Sequence, residues 1–488
     1  MRIRGFKPRA AIALAVVLSL VAACNGDTSE TSDAEPPKST GSMSTDASSP
    51  VTGTVTRTDT RESSGTSVNE RTSDGSDSSQ SAEPESPGVT ATTIRIGLNA
   101  DLSGVTATTV NPMIDAQRAY WAGVNEGGGI DGRQVELVIR NNAYDVPTHM
   151  ANYAELVGDG PESVIMFSHS SGSPQTAEAE RSAVTDEIVV IPSTRYSGWA
   201  DTDTGANIAE LGASLCVEGL NGLSLLAEFE DATRVAVLSS PGEDGQDSAA
   251  GAKLAAASLG LELVYDADGL VVRGSDLTQI IADLIAAQPD VVWVAVDPLT
   301  LSQLLAATFQ LGLTARWSGS AESWNDDLLD TEVAPIAAEL FRPSSTSALW
   351  GTVEEPGMRA MIEGLQSFDP TAPLSDSYVA GWLQAGAAHQ ILEQAAASGD
   401  LSRSGIVEAL STTEIDFGGL APNQSWSGAP DENLVRETYL YEIILDQRTP
   451  NETVADVGAN GYQLLEGPSV SDSAASFTFE GACWESGF

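Results

Sequence analysis

From Thr93 onward the chain alternates between two hydrophobic periods. TIRIGLN (Thr93–Asn99) sets Ile94, Ile96 and Leu98 at every second position, the period of a strand. DLSG (Asp101–Gly104) follows as a loop. MIDAQRAYWAGVNE (Met113–Glu126) then places Met113, Ala116, Tyr120 and Gly123 or Val124 at helical spacing. QVELVIR (Gln134–Arg140) reads as a strand and THMANYAELV (Thr148–Val157) as a helix. SVIMFS (Ser163–Ser168) is a compact apolar run of the kind found in buried parallel strands. EAERSAVTD (Glu178–Asp186) is a short helix, and IVVIP (Ile188–Pro192) a fourth strand. Strand and helix alternate throughout, which predicts a parallel sheet with helices on both faces.

The alternation starts again further on. RVAVLSS (Arg234–Ser240), LELVYD (Leu261–Asp266), DVVWVAV (Asp290–Val296) and ARWSGS (Ala315–Ser320) read as strands. Between them, DSAAGAKLAAASLG (Asp247–Gly260), DLTQIIADLIAAQ (Asp276–Gln288) and TLSQLLAATFQLG (Thr300–Gly312) read as helices, the first with a glycine stop. Two α/β halves in tandem predict two Rossmann-like lobes with parallel central sheets. Ligands of such sheets bind beyond the carboxyl ends of the strands, so two facing lobes make a cleft.

One stretch competes with this picture. GGGIDG (Gly127–Gly132) is literally G-x-G-x-x-G, the fingerprint of a dinucleotide-binding loop. Pyrophosphate binding needs a strand before the glycines and a helix after them. Here the order is reversed, so the stretch is expected to stop a helix with a left-handed glycine and turn at Asp131-Gly132. No cofactor is expected.

The N-terminal pattern is of another kind. Arg2, Arg4, Lys7 and Arg9 precede an apolar run from Ala10 to Val21, and Val21-Ala22-Ala23 leads into Cys24. Residues 1–23 thus read as a secretory signal peptide. The run is shorter than the about 20 residues that span a bilayer. The cysteine at the cleavage site matches the bacterial lipoprotein pattern, which implies lipidation of Cys24. Residues 25–88 are rich in Ser, Thr, Asp, Glu, Gly and Pro, without Leu, Ile or any aromatic. Such a segment cannot offset its ordering entropy by burial, and residues 24–92 are assigned as a disordered tether. The chain has 488 residues, 69 acidic against 23 basic, and a net charge of -46. That balance argues against a nucleic-acid partner. In an exported protein, Cys216 and Cys483 are a candidate disulfide; the alternative is two unrelated small hydrophobes.

VNEGGGIDGRQVELVIRNNAYD (Val124–Asp145) resembles the NxxGGINGRxVELxxxDD signature of solute-binding proteins of the leucine/isoleucine/valine-binding family. IRIGLNADLSG, SVIMFSHSSGSPQTAEAE, IVVIPSTRYS, SYVAGWLQAGAAHQILEQAAASG (Ser377–Gly399) and FGGLAPNQSWS resemble further segments of that family in the same order, covering about Thr92 to Gln447. The resemblance implies the type I periplasmic-binding fold, two lobes joined by crossing hinge strands. Lobe 1 would hold residues 93–212 and 343–430, and lobe 2 residues 213–342 and 431–488. It implies a monomeric receptor of an ABC importer. The receptor would capture an amino acid of branched-chain type, or a related polar amide or amine, and deliver it to permease subunits. It would touch the membrane through its lipid alone.

By that resemblance a ligand carboxylate would meet Ser171 and Gly172 after the third strand, and Ser193, Thr194 and Arg195 after the fourth. Loop hydroxyls and amides are chemically suited to an anion; the same serines also suit helix caps. Ser103, in the first loop, and Tyr196 join the candidate wall. The ligand ammonium would meet Glu322. The family often has aromatic residues where this chain has Asp244 and Asp297, which makes that wall acidic and favours a cationic or hydrogen-bonding ligand end. Tyr196 and Trp324 are candidates for apolar contact.

Two other classes remain. A secreted hydrolase would need catalytic machinery, yet His149, His169 and His389 fall in no H-E-x-x-H, and no G-x-S-x-G or metal-type Cys/His spacing occurs. No catalytic residue and no metal site is therefore assigned. A sensor of the same fold, signalling to a membrane partner, differs in nothing the sequence displays.

Overall fold

A computed structural model describes residues 86–170, 177–203, 205–448, 452–456 and 460–485. The signal segment, Cys24, most of the tether, and Ser171 and Gly172 lie outside the described residues. The first lobe runs β1 (Thr93–Ala100), α1 (Ala107–Glu126), β2 (Gln134–Asn141), α2 (Val146–Val157), β3 (Met166–Ser170), α3 (Ala177–Thr185) and β4 (Val189–Pro192). Its strands form one parallel sheet in the order β2-β1-β3-β4. The second lobe runs α4 (Leu215–Phe229), β5 (Arg234–Ser239), α5 (Glu243–Leu259), β6 (Glu262–Ala267), α6 (Thr278–Ala287), β7 (Val291–Ala295), α7 (Pro298–Gln310), β8 (Arg316–Gly319) and α8 (Ala334–Leu340). Its parallel sheet repeats the order, β6-β5-β7-β8. In both, strand order reverses between the first and third strands, and ligands of open α/β sheets bind at that reversal.

The remaining elements are β9 (Ser344–Ser345), α9 (Pro356–Phe368), α10 (Ser377–Ser398), α11 (Arg403–Thr412), β10 (Glu414–Ile415), β11 (Gln424–Ser425), β12 (Thr438–Ile443) and β13 (Tyr462–Ser469). Helices α9 to α11 return to the first lobe. Met361, Leu383, Ala387 and Ile406 share its core with Ile94, Ile96 and Leu98. β13-β12-β9 is a small antiparallel sheet whose Tyr439 and Tyr441 join the second lobe's core. Each main sheet is covered on both faces. In β5, Ala236 and Leu238 face one apolar cluster while Val235 and Val237 face another. Gln424 pins two crossing segments together, its amide donating to the Glu210 carbonyl (2.8 Å) and accepting from the Gly212 N–H (3.0 Å).

Several expectations are corrected. Helix α1 begins at Ala107, six residues before Met113, because Asp101 accepts from the Thr106 N–H and hydroxyl and starts the helix ahead of Pro112. Order begins before residue 93: Val89 is fully buried and bridges to Ile94, so the last tether residues belong to the body. Residues 431–488 are not confined to the second lobe, since Val454 joins the first lobe's core and its N–H donates to the Ala372 carbonyl. In GGGIDG, Gly127 stays right-handed. Gly129 (φ 74°) is left-handed and returns its N–H to the Val124 carbonyl. Asp131 and Gly132 form a two-residue turn, both with positive φ, while Ile130 and Arg133 exchange hydrogen bonds.

Cys216 and Cys483 form a disulfide, with Cα atoms 6.1 Å apart. It joins the C-terminal tail to α4. That helix packs closely on α5 because Gly251 admits the Cys216 carbonyl, which would lie 1.8 Å from a Cβ placed there.

Candidate functional site

The cleft is built from the loops at the carboxyl ends of the strands. After β1, Asp101 turns its carboxylate inward. It accepts the N–H groups of Ser103, Gly104 and Thr106, so this acid shapes the loop. Ser103 is exposed at the rim and accepts from the Asn141 amide at 2.9 Å. After β2, Ala143 (φ 52°) and Tyr144 (φ 59°) are both left-handed, unusual for such side chains. The side chains of Asn141 and Asn142 stabilise this turn by accepting the N–H groups of Ala143 and Tyr144, each at 2.9 Å.

The turn brings the Tyr144 phenol to the second lobe. Its pKa is raised chiefly by burial, then by Asp244, Glu322 and Asp101, with Arg273 opposing. Asp244 lies in the first turn of α5, and the Thr194 hydroxyl of the first lobe reaches it at 3.5 Å. Glu322 lies in a short turn after β8 and keeps 35% side-chain exposure because it faces the cleft. Burial pushes the Asp244 carboxyl up to about 7, reinforced by Glu243. It pushes Glu322 up to about 8, reinforced by Asp244 and opposed by Arg195. Two carboxyl groups and a phenol from opposite lobes therefore face one another.

The decisive arrangement is the pair of parallel sheets in matching order with this cleft between them, and a family model for periplasmic binding proteins matches residues 93–448. The chain belongs to the periplasmic binding protein family. Its fold is the type I fold. Among solved structures, it is similar to a fatty acid ABC transporter substrate-binding protein from Thermomonospora curvata. That match is at 25% identity and TM-score 0.70, covering 80% of this chain and 96% of that one. A branched-chain amino acid ABC transporter from Thermus thermophilus with bound valine matches at 17% identity and TM-score 0.64, covering 78% and 97%. A solute-binding protein of an ABC transporter from Rhodopseudomonas palustris HaA2, in complex with p-hydroxybenzoic acid, matches at 16% identity and TM-score 0.61, covering 74% and 95%. No curated protein sequence matches.

In this periplasmic binding protein the expected site residues divide. Thr194, Asp244 and Glu322 meet in the cleft. Ser193 lies beside them, its N–H donating to the Ser170 carbonyl at 2.8 Å. Arg195 is committed elsewhere, to the Glu218 carboxylate at 2.8 Å and the Ala213 carbonyl at 2.7 Å; Glu322 lies 3.8 Å away. It joins the lobes under the cleft. Tyr196 is buried in its own lobe, and its hydroxyl donates to the Trp484 carbonyl at 3.0 Å. Asp297 caps α7, accepting from the Thr300 N–H at 3.2 Å, and pairs with Arg273 at 3.7 Å. Trp324 stacks on Phe341 and donates to the Tyr462 hydroxyl, inside the second lobe. Each of these side chains has a polar partner within bonding distance, local for Asp297 and supplied from elsewhere in the chain for the others.

Burial holds His149 and His169 near about 4, hence neutral at pH 7. His149 contacts Asn142 at 3.1 Å and His169 contacts Gln384 at 3.0 Å, so both serve packing. Sequence reasoning missed Tyr144, Glu218 and Asp247. Asp247 is fully buried and accepts from the Ser197 N–H and hydroxyl and the Cys216 N–H. The Asn141-Asn142 doublet, a side-chain-to-backbone turn signal, was the available pointer to Tyr144. Among the described residues no group of three His, Cys, Asp or Glu side chains is placed to hold a metal. Among them, no helix is long and apolar enough to cross a membrane.

Proposed function

We propose that this periplasmic binding protein is the lipid-anchored solute receptor of an ABC importer. It captures a small amine-bearing solute, an amino acid or a related amine or amide, and delivers it to a permease. The observation that carries the ligand reading is the meeting of Asp244, Glu322 and Tyr144 across the cleft. Arg195, the nearby cation, is already spent on Glu218. An ammonium entering there gains charge-assisted bonds to both acids and a face of the phenol ring. A purely apolar end would leave Asp244 with the Thr194 hydroxyl and Glu322 with Arg195 at 3.8 Å as their partners and add none, so a branched aliphatic side chain is disfavoured on this wall. Similar proteins of known structure hold valine or p-hydroxybenzoic acid, so the fold itself tolerates varied solutes. The signal pattern and Cys24 support attachment to the outer face of the membrane, with the polar stretch to residue 85 as spacer.

Mass spectrometry of solute released from the purified protein tests the ligand class, followed by thermal shift against amines, amides, amino acids and carboxylates. An amine is expected. Recovery of an anionic solute with no amino group would reject the reading. Saturating ligand should also reduce the radius of gyration in X-ray scattering, as lobe closure requires.

A further inference from the structure

Four residues beyond Glu322 in the chain lies a second meeting of carboxyl groups between the lobes. Asp376 precedes α10 in the first lobe, and its Oδ1 accepts the Trp350 N–H at 2.8 Å. Asp326 opens a short turn after β8 in the second lobe. Both carboxyls accept from one amide nitrogen, Asn460 Nδ2, at 3.0 Å for Asp326 and 3.3 Å for Asp376. Asp326 is 3% exposed and Asn460 1%. The neighbouring Asn325 also joins the lobes, its amide donating to the Thr109 hydroxyl at the start of α1 (3.3 Å).

We infer that Asp326, Asp376 and Asn460 form a proton-dependent latch between the lobes, held while a carboxyl keeps its proton and loosened when both ionise. Two carboxylates on one amide repel, and the amide has only two N–H groups to offer them. The surrounding charges do not cancel that repulsion. Arg448 is the cation that most lowers Asp326, and it is bonded to Asp330 at 2.6 Å and to the Asn460 carbonyl oxygen. Asp327, beside Asp326, adds negative charge and is itself influenced by Asp330 and Arg448. Tyr462 from β13 donates to Asp376, Tyr441 from β12 faces it, and Tyr378 from α10 faces Asp326; burial keeps all three phenols neutral. Asp115 and Asp369 act on Tyr378 and add no positive charge.

Burial, with repulsion from Asp327, raises Asp326 to about 6, and burial, with repulsion from Asp326, raises Asp376 to about 8. When the lobes part, water returns and both fall toward the ordinary value of about 3.9. The joined arrangement therefore binds more protons than the parted one. It is fully favoured only below about 3.9, weakens as pH rises from there through about 6 and about 8, and levels off above. This coupling needs no solute.

The test is X-ray scattering of the ligand-free mature protein at about pH 5.5, where the joined pair still holds protons that the parted pair has lost, and at about pH 9, above the window. Wild type should be compact in acid and expanded in alkali. D376N carries an amide that cannot ionise, so its radius should stay at the compact value at both pH values; D326N should behave alike. Circular dichroism checks that each variant folds, and either folded variant suffices. A wild-type radius that does not change with pH would overturn the latch. So would an alkaline expansion of the folded variants as large as that of wild type.

Discussion

At the scale of single residues, the cleft turns on how many of its acids already have partners. Asp101 is consumed by loop N–H groups and Asp297 by a helix start. Asp244 and Glu322 are the two that meet Tyr144 with acceptor capacity left over. Their raised pKa values mean that protons must leave before an ammonium is fully paired. Affinity for an amine is therefore expected to rise with pH through about 7 and about 8, then level off. Calorimetric titration in buffers of different ionisation enthalpy should show proton release at neutral pH. Asp244→Asn should weaken binding by about ten- to a hundredfold, given about 1.5–3 kcal/mol for a charged hydrogen bond, and remove part of that pH dependence. Equal affinity at pH 6 and pH 9 would count against the assignment.

At the scale of elements, the glycine stretch shows how one motif supports two different local structures. Its glycines end α1 and turn the chain into β2, a structural task far from the strand ends that line the cleft. Gly129 is the position that tolerates least. It is left-handed, and a Cβ there would lie 1.9 Å from the Arg133 carbonyl oxygen. Gly129→Ala should cost more than about 1 kcal/mol, because strain and a backbone clash add. Solute affinity should stay within about twofold, less than the tenfold or more that one charged contact carries. Thermal melting and ligand titration on the same variant separate the two effects; a large loss of affinity in a folded variant would place the motif in the site.

At the scale of the molecule, the C-terminal tail spans the two lobes. The disulfide ties Cys483 to α4 of the second lobe, while the Cys483 N–H donates to the Ser197 hydroxyl of the first at 2.9 Å. Trp484 accepts from Tyr196, and Asp247 collects Ser197 and Cys216 at the same junction. A closed loop of this length restricts the unfolded chain strongly. Replacing both cysteines by serine should cost about 2–5 kcal/mol, read as a lower melting temperature that no longer responds to reductant. A melting temperature unchanged by the double replacement would mean that the tail is held by its hydrogen bonds alone.

What the sequence determined is everything written within a few residues of chain. Alternating periods of two and 3.6 marked both sets of parallel strands, because a strand or helix repeats its burial every two to four residues. The segment of helix α10, SYVAGWLQAGAAHQILEQAAASG, was placed by its resemblance to the family, and the reversed order around GGGIDG already argued against a pyrophosphate loop. Asp244 and Glu322 were legible as acids at strand ends. Which acids stay available was legible only in part: the cap partner of Asp297, Thr300, is three residues away, but the partners of Arg195 are found only after folding, Glu218 being 23 residues from it in sequence. Tyr144 was illegible for the same reason, as its aim depends on a left-handed turn and on Asp244 and Glu322 of the other lobe, 100 and 178 residues downstream. Local pattern dictates the elements because their hydrogen bonds and buried faces are local. Tertiary structure alone decides the cleft and the latch, because burial and proximity of charge are set by segments that meet only when the two lobes do.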